Sequence, residues 1–146
     1  MSGVSWLALV VAVGWLSGCA TRPEQIVDVP LTATAHNTGH IAQASLTPAG
    51  NETTISFVVG GVPSGTTLPV HLYTYIYPGS CQQLGPQPTY AMNQTLSADF
   101  VAKRPPWQFW RRAPIALSEL RAGAYALVVR AGPMDGNLDL FCGNVM

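Results

Sequence analysis

Apolar and polar residues alternate with a period of two along much of the chain after residue 26, a pattern typical of half-buried β-strands. The alternation is clearest in residues 70–77, whose two faces differ in chemistry. We expect the apolar face to lie in a core and the other face to lie on the opposite side of a sheet. The apolar face consists of Val70, Leu72, Thr74 and Ile76, and the opposite face of His71, Tyr73, Tyr75 and Tyr77.

Further strands are predicted where short runs rich in Val, Thr and aromatic residues are bounded by Gly, Pro, Asn and Ser. Pro30 indicates an edge strand, because proline cannot donate a ladder hydrogen bond. A helical turn is expected at residues 117–120, an ordered loop at 78–88 and an insertion or exposed loop at 103–112. The predicted strands are residues 26–35, 40–46, 53–59, 70–77, 123–130 and 137–145, with a weakly patterned strand at 90–101.

Composition narrows the fold class and the range of partners. The chain has 146 residues, of which 48% are hydrophobic and 10% charged, with 14 Gly and 12 Pro. That length suits one domain with its own core, and the abundance of turn residues argues against a helical bundle or a disordered chain. The formal net charge is zero, whereas nucleic-acid-binding proteins present a basic face. We expect an all-β sandwich or barrel that binds no nucleic acid and needs no cofactor.

The first nineteen residues carry an export signal. Val4 to Leu16 is apolar but shorter than the roughly twenty residues that a membrane-spanning helix needs, and no Lys or Arg precedes it, which departs from the usual signal peptide. Leu16-Ser17-Gly18-Cys19 resembles the lipobox of bacterial lipoproteins. The resemblance implies a signal peptide at residues 1–18, a lipidated Cys19 with a tether to residue 26, and a domain at residues 27–146. A plain signal peptide with an incidental Cys19 is the alternative, and it also implies export.

The same resemblance predicts where the protein resides. Ala20 follows the cysteine, whereas an Asp there is associated with retention in the inner membrane. We therefore expect a lipid anchor in the outer membrane of the bacterial cell envelope, with the domain facing the periplasm. With Cys19 assigned to the lipid, Cys81 and Cys142 remain, and two thiols in an oxidising compartment usually pair. One disulfide is predicted.

Several short segments together resemble the copper/zinc superoxide dismutases and the related CHRD-type domains. The resemblance covers residues 27–145 and implies a Greek-key β-sandwich with a disulfide between Cys81 and Cys142. The segments that carry it are Gly61-Val62-Pro63-Ser64-Gly65, Gly79-Ser80-Cys81, the run from Leu120 to Val129 and Phe141-Cys142-Gly143-Asn144-Val145.

The chain departs from that family at the positions of its metal ligands. The paired His-x-His of the copper strand falls on Tyr75 and Tyr77, and a shifted register recovers only His71. The late histidine that ends a Val-Val strand is Arg130, and the substrate-steering arginine is Asp139. A guanidinium repels a metal cation, and phenols are poor ligands at neutral pH. We therefore expect no dismutase activity, no catalytic residues and no enzyme function.

Three other groups of residues could bind a metal ion or a partner. His36 and His40 flank a turn, and with His71 they could form a three-nitrogen metal site, although exposed polar residues are the alternative. One face of the predicted strand 70–77 carries His71, Tyr73, Tyr75 and Tyr77, which we call the Tyr row, and this row could contact an envelope protein, a glycan or an anionic lipid surface. The same partners could be bound by the basic, aromatic segment around Trp107, Trp110, Arg111 and Arg112. The alternatives are that the second sheet or the 78–90 loop covers the Tyr row, and that both tryptophans pack onto the domain.

The sequence therefore supports two function hypotheses. The first is a non-catalytic envelope lipoprotein that acts as a binding or structural module through the row His71, Tyr73, Tyr75, Tyr77 and the Trp107–Arg112 segment. The second is a periplasmic lipoprotein that binds copper or zinc without dismutase turnover.

Overall fold

The computed structural model describes residues 25–93 and 104–146, together with Gly3, Gly14 and Gly18. In these residues nine antiparallel strands form one sheet that curls into a half-barrel. The predicted all-β fold with one disulfide is confirmed. The strands are β1 (Val27–Ala33), β2 (Ala42–Ala49), β3 (Glu52–Val59), β4 (Leu72–Ser80), β5 (Gln83–Leu84), β6 (Tyr90–Ala91), β7 (Trp107–Ala113), β8 (Tyr125–Ala131) and β9 (Asp139–Val145).

The order of the strands in the sheet is β5-β4-β8-β9-β1-β2-β3-β7, and β6 pairs with β4. Strands β1 to β3 follow one another as hairpins. After β3 the chain crosses to β4, on the other side of the sheet. It later returns to β7, which pairs with β3, and then crosses once more to β8, which pairs with β4. These long crossovers between antiparallel strands are the connections of a Greek-key fold. Strand β7 ends the sheet on one side and β6, which pairs with β4, lies on the other, and an open seam separates β7 from β6.

The core lies on the concave side of the half-barrel. The rings of Phe57 and Phe109 stack there, with centroids 5.0 Å apart and planes 12° apart. The helix α1 (Leu117–Ala122) adds Leu117 and Leu120 to this core, and Leu120 is fully buried. The helical turn predicted at residues 117–120 is thus a short helix, and its inward side chains close one end of the half-barrel.

The expectation of an exposed loop at residues 103–112 is wrong for most of that segment. Residues 107–113 form β7, which pairs with β3 from Thr53 to Val59. Buried and exposed side chains alternate along β7, so its inward residues join the core. The cis peptide bond between Pro105 and Pro106 precedes this strand.

The expectation that Pro30 marks an edge strand is also wrong, because β1 lies between β2 and β9. Pairing of β1 with β9 involves only Thr32 and Ala33. Pro30 therefore sits in the half of β1 that has no β9 ladder beside it, and its missing N–H costs no hydrogen bond. The carbonyl oxygen of Pro30 instead approaches Gly143 so closely that a Cβ added there would lie 2.6 Å from it.

Other predicted elements differ from the structure mainly at their ends. The strands expected at residues 40–46 and 137–145 extend over Ala42–Ala49 and Asp139–Val145. Of the strand expected at 90–101, Tyr90–Ala91 is strand β6, and residues 94–101 lie outside the described residues. Cys19 and the tether residues 20–24 lie outside them as well. In the described part of the chain, no helix is long and apolar enough to cross a membrane.

The disulfide joins Cys81 and Cys142, as predicted. Cys81 follows β4, and Cys142 lies within β9. The loop after β4 is further tied to the sheet by the backbone N–H of Cys81, which donates to Asn144 Oδ1 at 2.8 Å. The predicted ordered loop at 78–88 is therefore anchored to the outer side of the sheet and includes the short strand β5.

Candidate functional site

The aromatic face of β4 lies on the outer side of the sheet, as the alternation predicts. Tyr73 and Tyr75 are half-buried, whereas Tyr77 is only 7% exposed. His71, which precedes β4, is also half-buried. The row is thus partly covered, and its last member is withdrawn from solvent.

The side chain of Arg130, which projects from β8, covers part of this row. Its guanidinium carbon lies 4.5 Å from the ring centroid of Tyr75 and 5.5 Å from that of Tyr77. Arg130 Nη2 donates a hydrogen bond to Tyr77 Oη at 2.7 Å, and Arg130 Nε donates to Asp139 Oδ1 at 2.6 Å. We call these four side chains, Tyr75, Tyr77, Arg130 and Asp139, the Arg130 cluster.

The local fold brings the charged pair of this cluster together. The pairing of β8 with β9 is irregular between Val129 and Arg130, and this irregularity sets Arg130 opposite Asp139. The hydroxyl of Thr34 donates to the backbone carbonyl of Asp139, which holds the start of β9 from the β1 side. The carboxylate is therefore positioned by the sheet rather than by a flexible loop.

The cluster favours the charged form of its arginine. Burial by itself lowers the pKa of Arg130, but the hydrogen bonds to Asp139 and Tyr77 and the charge of Asp139 outweigh it, so the pKa of Arg130 is raised above its ordinary value. The guanidinium stays protonated, and the Asp139 carboxylate balances its charge. The centre of the cluster is thus a permanent cation between two phenol rings.

The four candidate residues of the basic, aromatic segment divide between the two faces of β7. Trp107 is 6% exposed and Arg111 is 6% exposed, and both point into the half-barrel. Trp110 is 66% exposed, and Arg112 is on the same outer face, where its Nε lies 3.2 Å from Glu52 Oε2. The prediction that the four side chains share one binding surface is therefore wrong, because the strand period separates them.

Arg111 has an unusual place for a charged residue. Its guanidinium carbon lies 4.7 Å from the ring centroid of Phe109. Nη1 donates to the Trp110 carbonyl at 2.9 Å, and Nη2 donates to the Leu72 carbonyl at 3.4 Å across the seam. Arg111 Nε is buried and has no hydrogen-bond partner in the part of the chain that the structure describes. Burial lowers the pKa of Arg111.

A groove of about 470 Å³ follows the open seam beside Arg111. Its walls come from β3, β6 and β7, and a volume of this size lies in the range of small-molecule sites. The residues that matter for its chemistry are Arg111, Arg112, Glu52, Thr54, Trp110 and Met92.

The structure does not assemble the three-histidine metal site. His36 is exposed in a short 3-10 turn (Ala35–Asn37), and the imidazole of His40 packs against Gly61. His71 precedes β4, and β8 and β9 separate β4 from β1, a distance of about 14 Å at the usual strand spacing. Among the described residues no three His, Cys, Asp or Glu side chains gather where they could hold a metal ion. The alternative site at His36, His40 and His71 is therefore not assembled in the described part of the chain.

Sequence reasoning named Arg130 and Asp139 only as replacements of family residues and did not pair them. Their contact depends on the register of two strands, which no local pattern encodes. Arg111 was named, but as an exposed residue. The alternation of Trp107 and Phe109 with Gln108 and Trp110 is the signal that could have placed β7 correctly.

Compared with protein-family models, curated proteins and solved structures, the chain matches none of them.

Proposed function

We propose that this protein is an exported, lipid-anchored and non-catalytic module of the bacterial cell envelope, whose domain rests on the periplasmic surface of the outer membrane. The lipobox-like Leu16-Ser17-Gly18-Cys19 supports the anchor. The domain is related, in this proposal, to the copper/zinc superoxide dismutases but lacks their metal site.

The Arg130 cluster is the observation that carries the non-catalytic part of the proposal. In the resemblance, Tyr75, Tyr77 and Arg130 stand where the dismutases have copper ligands. These three side chains contact one another, and a hydrogen bond joins the guanidinium to Tyr77 Oη. A guanidinium carries a permanent positive charge and has no lone pair to give to a metal. The residues therefore do not fit copper or zinc, and no dismutase step is derived for them.

The position of the tether supports contact with the membrane. Strand β1 begins at Val27, and the pairings through β2 and β3 to β7 place Val27 and Arg111 in one row across the sheet. The exposed neighbours Trp110 and Arg112 therefore lie near the same end of the half-barrel as the tether. Residues 20–25 can span at most about 20 Å, so this end of the domain stays close to the membrane that holds the lipid.

The chemistry of the tether end suits an anionic lipid surface. Trp110 is an exposed aromatic side chain of the kind that inserts at the membrane interface, and Arg112 lies beside it. The structure adds Arg121 of α1, whose Nη1 donates to Gln25 Oε1 at 3.2 Å, next to the start of the domain. Exposed cations near the membrane are attracted by anionic headgroups.

Palmitate labelling in cells tests the anchor. The wild-type protein should incorporate labelled palmitate and fractionate with the outer membrane, whereas Cys19→Ser should not be labelled. Cys81→Ser with Cys142→Ser is the matched control, because it removes the other two cysteines and should leave labelling unchanged. A protein that is exported without label would contradict the anchor.

Vesicle flotation tests the membrane contact separately from the lipid anchor. Residues 20–146, exported behind a signal sequence without a lipobox, should float with vesicles rich in phosphatidylglycerol and not with phosphatidylcholine vesicles. Arg121→Gln should weaken this binding about fivefold, and Trp110→Ala should weaken it as well. Ile41→Ala is the control, since Ile41 is 78% exposed at the opposite end of the half-barrel. Equal effects of all three substitutions would overturn the proposed surface.

Metal analysis and a superoxide assay test the non-catalytic part. Protein purified without chelators should contain no stoichiometric copper or zinc and should not accelerate superoxide removal. Arg130→His with Tyr75→His and Tyr77→His restores imidazoles at the three matched positions, and this variant should bind more copper than the wild type. Stoichiometric redox-active metal with rapid superoxide removal in the wild type would overturn the proposal.

A further inference from the structure

Arg111 combines burial with an incomplete set of partners. It is 6% exposed, and among the described residues its Nη1 donates to the carbonyl of Trp110 and its Nη2 to the carbonyl of Leu72. A guanidinium has five N–H donors, and the buried Nε–H of Arg111 has no acceptor among the described residues. A polar group that is buried without a partner costs free energy that a ligand can recover.

Arg111 also has no acidic partner among the described residues. In residues 25–93 and 104–146 the ion pairs are Arg112 with Glu52 and Arg130 with Asp139, and Arg111 takes part in neither. The face of Phe109 and two carbonyl dipoles are its compensation. Buried charges in proteins are normally paired, because an isolated one is expensive to remove from water. An anion at Arg111 would supply the missing charge.

The groove at the seam gives such an anion a place. Arg111, Arg112 and Glu52 all line it, and since Glu52 neutralises Arg112 at 3.2 Å, one net positive charge remains, on Arg111. The Glu52 carboxylate repels a second negative charge on the ligand. Trp110 and Met92 offer apolar surface in the same groove.

We infer that the seam groove binds a small organic monocarboxylate with an apolar or aromatic body, whose carboxylate accepts hydrogen bonds from the Arg111 guanidinium. The planar fork of arginine matches the two oxygens of a carboxylate. Met92 and Trp110 receive the apolar body. This binding site goes beyond the envelope role proposed above and does not depend on the lipid anchor.

Calorimetric titration of the full chain in a nonionic detergent tests the inference with three soluble probes. 3-Phenylpropionate should bind with a stoichiometry of one. 3-Phenylpropanol, which has the same body without the charge, should bind about tenfold more weakly or worse, because it leaves the guanidinium unpaired. Phenyl phosphate, which is a dianion at mildly alkaline pH, should also bind more weakly than the carboxylate. Equal binding of acid and alcohol would show partition into an apolar groove or the micelle and would overturn the inference.

Substitutions at Arg111 test whether this residue binds the carboxylate of 3-phenylpropionate. Arg111→Gln should lose binding of 3-phenylpropionate, and Arg111→Lys should retain part of it, because the charge remains and the fork is lost. Arg104→Gln is the matched control, since Arg104 is an exposed arginine that does not line the groove, and it should bind as the wild type does. Unchanged binding in Arg111→Gln would overturn the inference.

A signal from the guanidinium keeps the inference testable if Arg111→Gln does not fold. In the wild type, labelled with ¹⁵N-arginine, one Nε–H resonance should shift downfield and become protected from exchange as 3-phenylpropionate is added. No change in any Nε–H resonance would count against the site. Asp99, an acidic residue outside the described residues, provides a further check. Binding that is seen only in Asp99→Asn would show that the chain supplies its own carboxylate, and would also overturn the inference.

Discussion

Arg130 and Asp139 face each other across the one irregular step in the pairing of β8 with β9, with Nε and Oδ1 2.6 Å apart. The side chains are 20% and 34% exposed, so the pair is partly shielded from water. Because Arg130 also reaches Tyr77 Oη at 2.7 Å, the pair joins three strands, β4, β8 and β9. The Arg130 cluster therefore links three strands of the sheet, in addition to standing in place of metal ligands as we propose.

Tyr77→Phe should lower the free energy of unfolding by about 1–2 kcal/mol, because it removes a hydrogen bond to a charged and partly buried group. Tyr73→Phe is the matched control on the same face of β4, and the structure gives its hydroxyl no hydrogen bond with the described residues. It should change stability by less than about 0.5 kcal/mol. Urea unfolding of the two variants checks this, and equal losses would contradict the role of the Tyr77 hydroxyl.

The contribution of Arg130 should not vary with pH in the neutral to alkaline range. The pKa of Arg130 is raised in the folded state, so its stabilisation is fully present below the unfolded-state pKa and is lost only as the pH rises through the higher folded-state value. The difference in unfolding free energy between wild type and Arg130→Gln should therefore stay constant from about pH 7 to pH 10. Urea unfolding across this range measures it, and a difference that fades by pH 9 would contradict the assignment.

Removal of the Cys81–Cys142 disulfide should cost about 4 kcal/mol, because the bond closes a loop of some sixty residues in the unfolded chain. The double variant Cys81→Ala with Cys142→Ala should show this loss in urea unfolding. The wild type under reducing conditions should move to the same midpoint, and the double variant should not respond to reductant. A wild type whose midpoint is insensitive to complete reduction would contradict the expectation.

Gly143→Ala should destabilise the fold by about 2 kcal/mol through overpacking. A Cβ on Gly143 would lie 2.6 Å from the Pro30 carbonyl oxygen, where the backbone of β1 cannot move away freely. Gly132→Ala is the control, because its Cβ would meet only Tyr73 Cε2 at 3.4 Å and its φ is negative. Thermal unfolding should separate the two, and tolerance of both substitutions would contradict the close approach of β9 to β1.

The strand β4 shows what local pattern can predict. Its alternation between Leu72, Thr74 and Ile76 on one face and tyrosines on the other is written in consecutive residues, and the structure confirms it. Strand β7 has the same period, but its arginines and the preceding prolines suggested an exposed loop. Arg111 is an exception to the rule that charged side chains face outward. The basic composition of the segment therefore led to the wrong prediction of a loop, whereas the period-two spacing would have predicted a strand.

The Arg130 cluster and the seam groove show where local pattern ends. Arg130 and Asp139 are nine residues apart, and a shift of one residue in the pairing of β8 with β9 would separate them. Arg111 meets the Leu72 carbonyl only because the sheet curls until β7 approaches β4. Neither contact follows from the residues nearby in the chain.

The sequence by itself determined the all-β class, the two faces of β4, the lipobox-like motif at residues 16–19 and the pairing of the last two cysteines, because period-two alternation, a short apolar run and cysteine number are properties of neighbouring residues or of composition. The tertiary structure alone decided that Arg130 pairs with Asp139, that Arg112 is exposed, and that Arg111 is buried with no acidic partner among the described residues. Those outcomes depend on strand register and on the curl of the sheet, which arise from packing between segments far apart in the chain.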